Sequence, residues 1–382
     1  MALRGIQVLE LGGLAPAPFC GMVLADFGAR VLRIDKLSGD MFGTDDILAH
    51  GKLSVALNFK TKEGIAIFKE LSLKSDVVID PFRPGVMEKL SIGPADLLKR
   101  NNRLIYARLT GYGQDGPLAR AAGHDINYTA ISGALSFLGG RSDAPSPPVN
   151  ILADFAGGGL TAALGIVMAV YEREKSGMGQ VVDCSMSRGA AYVSSFLPRG
   201  SNTFLFCNSR GSNLLDGGAF YYGTYKTKDG KWMAVGALEP KFYSNLLQGL
   251  GIAEEELPQT TDFEIGRAKL RDTFIKHDQN YWENVFVHLD ACVTPVLTPI
   301  EAANYKHNAH QKSYHTFQDG VLAPSPEPRM SRTPSVREAR WRAPRTGEHT
   351  LEILKSLGYP DERLKEMVET GVIGVSETTS KL

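Results

Sequence analysis

Short apolar strands alternate with helices through the first half of this chain, and this alternation constrains its fold most. Strands rich in Val, Ile or Leu are predicted at Ile6–Glu10, Arg30–Ile34, Leu53–Leu57, Asp76–Ile79 and Leu104–Arg108. Several of them are separated by helical patterns, at Pro16–Phe27, Lys62–Leu73 and Val86–Lys99. Strands that alternate with helices form right-handed crossovers. The pattern therefore predicts an α/β protein whose large domain holds a doubly wound, mainly parallel (Rossmann-like) sheet.

The second half of the chain predicts a smaller α+β domain. A strongly apolar helix is expected at Asp154–Tyr171, and a β-hairpin later turns at Asp229-Gly230. A Pro/Arg-rich run then returns the chain to the large domain. The predicted boundaries are 1–197 for the large domain, 198–220 for a linker, 221–320 for the small domain, 321–345 for the return linker, and 346–382 for closing helices with a tail.

Composition excludes several classes of protein. Lys+Arg and Asp+Glu both number 42, so the formal net charge of zero disfavours nucleic acid as a partner. The four cysteines are scattered without a C-x-x-C pair, which disfavours both a disulfide framework and a zinc site. His307 and His310 lack nearby thiolates or carboxylates, so we expect a surface helix there and no metal. No uninterrupted apolar run of roughly 18 residues is found, so no membrane span is expected.

The two ends of the chain bear on its compartment. The first residues lead directly into a strand and lack the layout of a signal peptide. The last three, Ser380, Lys381 and Leu382, form the tripeptide that the peroxisomal import receptor reads at a C-terminus. We therefore expect a peroxisomal protein, with room for an additional cytoplasmic or mitochondrial pool.

Three segments carry candidate chemistry. In "AGHDINY", His124 stands beside Asp125 before an apolar run, where Asp125 could also simply cap a helix. In "PVNILADFAGGG", Asp154 falls at the start of the apolar helix, and the glycines at 157–159 allow close approach of a ligand or of another helix. In "GALEPKFY", Glu239 precedes Pro240 at a helix start, either as a cap or to orient a histidine.

The strand and turn near the N-terminus invite a dinucleotide-binding interpretation. Gly12-Gly13 is followed by Leu14-Ala15-Pro16, and this departs from the G-x-G-x-x-G spacing of nicotinamide enzymes. The sequence therefore disfavours NAD as a cofactor.

Long runs along the whole chain resemble the alpha-methylacyl-CoA racemase family, a branch of the family III CoA-transferases. They are "TGYGQDGPLARAAGHDINY", "PPVNILADFAGGGL", "RGSNLLDGGAFYY", "VGALEPKFY" and "DACVTPVL". The resemblance implies inversion of the α-carbon of 2-methyl-branched acyl-CoA thioesters, such as pristanoyl-CoA or sterol side-chain acyl-CoAs. It also implies an interlocked homodimer, whose site lies between one subunit's large domain and the other's small domain. The thioester itself acidifies the proton, so no cofactor is expected.

The resemblance also implies roles for the candidate residues. The acid/base histidine falls on His124 and the catalytic aspartate on Asp154, while Glu239 or Asp125 would fix the tautomer of His124. Two different groups suit this reaction, because inversion requires a base on one face of the carbon and an acid on the other. The N–H groups near Gly157 and Gly158 are one place for the enolate oxygen.

Lysines are expected to bind the phosphates of CoA. By resemblance, Lys36 and Lys89 occupy phosphate-contacting positions, and Lys60 lies near the nucleotide. Two departures from the family pattern weaken parts of this assignment. Leu53 follows Lys52 where relatives carry a second basic residue, and Lys241 replaces a common Gln beside Glu239.

Two other functions compete with the racemase. In a family III CoA-transferase, the residue at Asp154 would attack the thioester and form a covalent intermediate. The same fold could also belong to an inactive CoA-binding protein. His124 together with Glu239 favours the racemase, because transferases usually carry another residue at the histidine position.

Overall fold

The computed structural model describes residues 1–37, 47–141, 144–317, 320–336 and 342–376. The predicted targeting tripeptide Ser380-Lys381-Leu382 lies outside the described residues. By their contacts, the residues form two compact units, which are described separately. Unit 1 draws on 1–132, 149–193 and 310–382, and unit 2 on 133–148 and 194–309.

The strands of the described residues are numbered in chain order. They are β1 (Gln7–Leu11), β2 (Arg30–Asp35), β3 (Leu53–Leu57), β4 (Val77–Asp80), β5 (Ile105–Thr110), β6 (Val181–Ser185), β7 (Tyr222–Lys226), β8 (Trp232–Gly236), β9 (Val293–Pro295), β10 (Tyr314–Thr316), β11 (Leu322–Pro324) and β12 (Ile373–Gly374).

The α-helices follow the same convention. They are α1 (Pro16–Asp26), α2 (Lys62–Leu73), α3 (Val86–Lys89), α4 (Pro94–Arg100), α5 (Asp125–Ile131), α6 (Thr161–Ser176), α7 (Met186–Val193), α8 (Phe196–Gly200), α9 (Pro240–Leu250), α10 (Phe263–Phe274), α11 (Gln279–Phe286), α12 (Pro299–Asn304), α13 (Lys306–Gln311), α14 (Thr350–Ser356) and α15 (Asp361–Glu369). A 3₁₀ turn occupies Ala134–Phe137, and a π-helical segment, Ile151–Leu160, leads directly into α6.

Unit 1 is built on a seven-stranded sheet that confirms the predicted α/β class. The strand order is β12-β3-β2-β1-β4-β5-β6, parallel throughout except for the antiparallel β12. Alternate strand residues face opposite layers of helices. Leu9 packs in a core with α2, α4, α14 and α15, whereas its neighbour Val8 packs in a second core with α1, α6 and α7.

The order of the central strands reverses between β1 and β4. The chain starts at β1, moves outward through β2 and β3, and then returns to β4 on the other side of β1. In doubly wound sheets a ligand binds beyond the carboxyl ends of the strands at this reversal. The fold thus marks the carboxyl edge of β1–β4 as the place to look for a site.

The segment Ile151–Ser176 is long and apolar enough to cross a membrane, judged by length and composition alone. Its most apolar window has a mean hydropathy of 1.7, and 44% of that window is buried within the chain. Core helices of folded domains meet the same criteria. Ala153, Ala162 and Ile166 belong to the core of unit 1, so this segment packs on the sheet along one face.

Unit 2 contains a three-stranded antiparallel sheet in the order β7-β8-β9. Helices α9, α10 and α11 enclose an aromatic core that includes Phe220, Tyr243 and Phe274. The predicted hairpin is present, with Gly230 in the left-handed conformation (φ 80°) at its turn.

The unit boundaries differ from those expected. Residues 133–148, expected in the large domain, cluster with unit 2, and unit 2 ends at Ala309 rather than at 320. Contacts with unit 2 accompany the first difference: Arg210 donates hydrogen bonds to the carbonyls of Ser136 and Gly140, and the rings of Phe137 and Phe206 meet edge-on. Contacts of this kind join segments distant in sequence, and hydrophobic periodicity does not report them.

Candidate active site

His124 is the residue from which helix α5 begins. It adopts an extended conformation, and its backbone N–H donates to the side chain of Asn127 at 3.0 Å. The backbone carbonyl of His124 accepts from Asn127 and Tyr128. These backbone contacts hold the residue in place while its side chain is exposed. An exposed imidazole on an anchored backbone is suited to exchange protons with a substrate.

Asp125 is buried, and its carboxylate serves a neighbouring segment. One carboxylate oxygen accepts the backbone N–H groups of Ala153 at 2.7 Å and Asp154 at 2.9 Å. The other oxygen accepts the hydroxyl of Thr129 at 3.3 Å. Asp125 therefore does not cap its own helix as expected, and its role in fixing the tautomer of His124 stays a prediction. Both of its oxygens are occupied, and what it fixes is the backbone of Asp154.

Asp154 lies in the first turn of the π-helical segment, as the sequence predicted, and is buried. Burial raises the pKa of its carboxyl above the ordinary value, and the charge of Asp125 adds to this. The hydrogen bond from the side-chain amide of Asn150, 2.9 Å long, and the charge of His124 act in the opposite direction. Asp125 links the backbones of the segments that carry His124 and Asp154, the two proposed proton-exchanging groups.

Asn150 is a site residue that the sequence reasoning missed. It has a left-handed backbone (φ 62°) and follows Val149, which is also left-handed (φ 50°). Consecutive non-glycine residues in this region cost free energy, and strain of this kind concentrates at functional sites. The available signal was an Asn before an apolar helix, because Asn tolerates the left-handed conformation better than most residues.

Glu239 belongs to unit 2. It is the residue from which α9 begins, with Pro240 in the first turn, and its side chain is exposed and caps no backbone group. Its proposed partnership with His124 stays a prediction. Lys241, expected to place a cation beside Glu239, forms an ion pair with Asp290 at 3.0 Å, and its effect on Glu239 stays a prediction.

Gly157 and Gly158 were expected to expose backbone to the ligand, and the structure gives them a different role. A Cβ on Gly157 would lie 2.4 Å from the backbone nitrogen of Ala190 in α7. A Cβ on Gly158 would lie 2.9 Å from the carbonyl of Ala153 and 3.0 Å from the side chain of Met186. These glycines are buried and allow close packing of the π-helical segment, which was the alternative interpretation.

A cleft of about 580 Å³ lies at the carboxyl ends of β1, β2 and β3. Lys36 and Lys60 line it, together with apolar side chains that include Leu57, Phe59 and Phe82. Lys89 is exposed at the end of α3 and directly precedes Leu90, another lining residue. Two of the three lysines expected at a CoA nucleotide, Lys36 and Lys60, therefore line one cleft near the reversal of strand order, and the place of Lys89 at the nucleotide stays a prediction.

Lys52 does not take part in this cleft. Its side chain is completely buried and its ammonium donates to both carboxylate oxygens of Glu10, at 2.8 and 3.0 Å, and to the carbonyl of Pro18. The Leu53 departure from the family pattern thus follows a lysine that stabilises the fold. Among the described residues, no cluster of three or more His, Cys, Asp or Glu side chains could hold a metal ion.

Comparison with known proteins gives one consistent result. The sequence profile of a family described as CoA-transferase family III matches residues 3–350. Alpha-methylacyl-CoA racemase of Mus musculus is 50% identical over 96% of this chain and 96% of its own length. The enzyme of the same name from Homo sapiens is 46% identical over the full length of both chains.

A solved structure supports the fold. A CAIB/BAIF family protein from Brucella suis aligns with a TM-score of 0.78, covering 93% of this chain and 99% of its own. Its sequence is 22% identical, so this similarity concerns the fold alone.

Proposed function

The chain belongs to CoA-transferase family III, and within that family we propose that it is an alpha-methylacyl-CoA racemase. The observation that supports this function is a hydrogen bond between the two segments that carry the proposed bases, His124 and Asp154. Asp125 holds the backbone of Asp154 from the residue directly after His124. The chain thus positions two different proton-exchanging groups relative to each other.

The proposed reaction inverts the α-carbon of a 2-methyl-branched acyl-CoA. One group removes the α-proton, which leaves an enolate of the thioester, and the other returns a proton to the opposite face. For one enantiomer His124 is the base and Asp154 the acid, and for the other enantiomer the roles are exchanged. A neutral imidazole and an ionised carboxylate are both bases, so one of the two must carry a proton in each half-reaction.

The environment of Asp154 suits this exchange of roles. A carboxyl group with an ordinary pKa is a poor acid catalyst near neutral pH because it is almost never protonated. Burial raises the pKa of Asp154 and so increases its protonated fraction, while the amide of Asn150 still supports the ionised form. Asp154 can then act in both directions.

The CoA moiety is proposed to occupy the cleft between Phe82 and the ends of β1–β3. Lys36 and Lys60 line this cleft, so cations are available for phosphates on a chain without net charge. Apolar lining residues provide a surface for a nucleobase. The thioester supplies the acidity that the reaction needs, so the proposal includes no resident cofactor.

A homodimer is proposed from an exposed apolar stripe that begins at Leu160, the end of the π-helical segment, and continues along α6. Leu160, Leu164, Met168 and Tyr171 are each more than half exposed and recur at helical spacing on one face. An exposed face of this size marks an interaction surface. A second copy of the chain is the proposed occupant, because the family resemblance implies an interlocked dimer in which Glu239 of one subunit meets His124 of the other.

Two measurements test this function and its transferase competitor. Purified protein is incubated separately with R- and S-2-methylacyl-CoA, and the product configuration is followed by chiral chromatography. Conversion of both enantiomers toward one equilibrium mixture supports the racemase. A CoA-transferase would instead move CoA to a carboxylate acceptor and would lose activity when hydroxylamine traps an acylated Asp154.

The shared site is tested by co-expressing two inactive variants with different affinity tags. His124→Ala and Glu239→Gln chains that combine in one dimer would restore one intact site of two. Activity in doubly tagged protein, absent from either variant alone, supports the dimer.

Localisation is tested by imaging the full chain with and without Leu382, and peroxisomal import that depends on this residue is expected.

A further inference from the structure

Tyr128 lies one helical turn after His124 on α5, and its ring is buried between two glycines. A Cβ on Gly111 would lie 2.2 Å from the ring, and a Cβ on Gly123 would lie 2.7 Å from it. The ring therefore takes the space that side chains would need at both positions. Gly111 follows β5, and Gly123 directly precedes His124, so Tyr128 joins the sheet to the loop that carries the histidine.

The hydroxyl of Tyr128 donates a hydrogen bond to the backbone carbonyl of Gly123. This carbonyl belongs to the peptide group that enters His124. On the other side, the carbonyl of His124 accepts the backbone N–H of Tyr128 at 3.2 Å. One tyrosine thus contacts the peptide groups on both sides of the proposed base, which restricts the backbone rotations that would move the imidazole.

The groups around the hydroxyl keep it a donor. Burial, followed by the charges of Asp154 and Tyr112, raises the pKa of Tyr128 to about 12, and Arg83 acts in the opposite direction. The hydroxyl consequently stays protonated over the range in which a racemase works. The ring of Tyr112 contacts the ring of Tyr128 edge-on, with centroids 5.0 Å apart.

We propose that Tyr128 is a positioning residue that holds His124 at the distance from Asp154 that inversion requires. This proposal rests on the proposed racemase function. It predicts a selective defect, because Tyr128 fixes the backbone of His124 whereas Asp125 and Asn150 fix Asp154. Loss of the hydroxyl should displace one base and leave the other in place.

The test is Tyr128→Phe, with Tyr112→Phe as the matched control in the same ring pair. In D₂O, epimerisation by Tyr128→Phe should fall about tenfold or more in both directions, mainly in kcat, since a small misplacement of a base is costly. Deuterium should still enter, with retained configuration, the enantiomer that Asp154 deprotonates. Tyr112→Phe should behave as wild type. Equal epimerisation rates in wild type and Tyr128→Phe would overturn the proposal.

A second measurement separates this proposal from the function on which it rests. The ¹⁵N signal of His124, assigned by its loss in His124→Ala, reports the environment of the imidazole without any turnover. A shift of this signal in Tyr128→Phe, but not in Tyr112→Phe, supports the positioning role even if wild type fails to epimerise either enantiomer. An unshifted signal would contradict the positioning role even if wild type is an active racemase.

Discussion

The carboxylate of Asp125 accepts the backbone N–H of Asp154 across 29 positions of sequence, at 2.9 Å. The same oxygen accepts the N–H of Ala153, so α5 and the π-helical segment are fixed to each other at the residues that carry the proposed bases. The relative placement of His124 and Asp154 depends on this contact.

Replacing Asp125 should therefore impair both stability and catalysis. Asp125→Ala leaves two buried N–H groups without their acceptor and should lower the free energy of unfolding by about 2 kcal/mol. Epimerisation should fall about a hundredfold, because Asp154 loses its fixed backbone. Urea denaturation and kinetics with both enantiomers measure these effects. Asp115→Ala, at an exposed loop position, is the control. Equal stability and equal epimerisation rates in the two variants would show that the hydrogen bonds of Asp125 to the backbone of Ala153 and Asp154 are dispensable.

The side-chain amide of Asn150 should set the pH dependence of epimerisation for the enantiomer that Asp154 deprotonates. It stabilises ionised Asp154, so its removal raises the pKa of Asp154 still further. Asp154 must be ionised to act as base, so for the enantiomer that it deprotonates, activity is lost as pH falls through this pKa. Asn150→Gly keeps the left-handed backbone while removing the amide. The acidic limb of kcat/KM should move to higher pH, whereas Asn102→Ala should leave it unmoved, and an unmoved limb in Asn150→Gly would refute this role.

The cleft lysines should affect binding of CoA rather than chemistry. Lys36→Ala and Lys60→Ala each remove a cation from the cleft, so KM for acyl-CoA should rise about tenfold with little change in kcat. The effect should weaken at high salt, because exposed charges are screened. Lys99→Ala, on the surface of α4, is the control. A fall in kcat at unchanged KM would place these lysines outside the nucleotide site.

Gly157 should tolerate no side chain. Its Cβ would meet backbone atoms of Gly189 and Ala190, which cannot move aside without shifting α7. Gly157→Ala should lower the melting temperature by several degrees, whereas Gly223→Ala, whose Cβ has its nearest neighbour at 3.7 Å, should have a small effect. Equal melting temperatures of the two variants would show that the π-helical segment and α7 can move apart with little loss of stability.

Local patterns predicted much of the fold. The strand Leu53–Leu57 and the helix Lys62–Leu73 match the structure residue for residue, because apolar spacing is a property of adjacent residues. The helix expected from Asp154 instead begins at Ile151 in π-helical form. Hydrophobic periodicity does not distinguish a π-helical turn from an α-helical one.

For the candidate site too, local motifs predicted some features, and others depend on the tertiary fold. His124 and Asp154 could be picked out by motif, but the partner of Asp125 could not, because the hydrogen bond joins segments that only the tertiary fold brings together. Nothing in the sequence around Lys52 indicates that its side chain is buried against Glu10, 42 positions earlier. A side chain's contacts across a fold are not encoded in its sequence neighbours.

The central claim is that two different groups exchange one α-proton, and deuterium incorporation tests it directly. R- and S-2-methylacyl-CoA are incubated separately in D₂O with wild type, His124→Ala and Asp154→Asn, and α-deuterium is followed by mass spectrometry. Wild type is expected to exchange the α-proton of both enantiomers and to invert both. Neither variant is expected to invert the substrate. His124→Ala should lose proton removal from one enantiomer, and Asp154→Asn should lose proton removal from the other. Intact binding of CoA without any α-exchange in wild type would contradict the account.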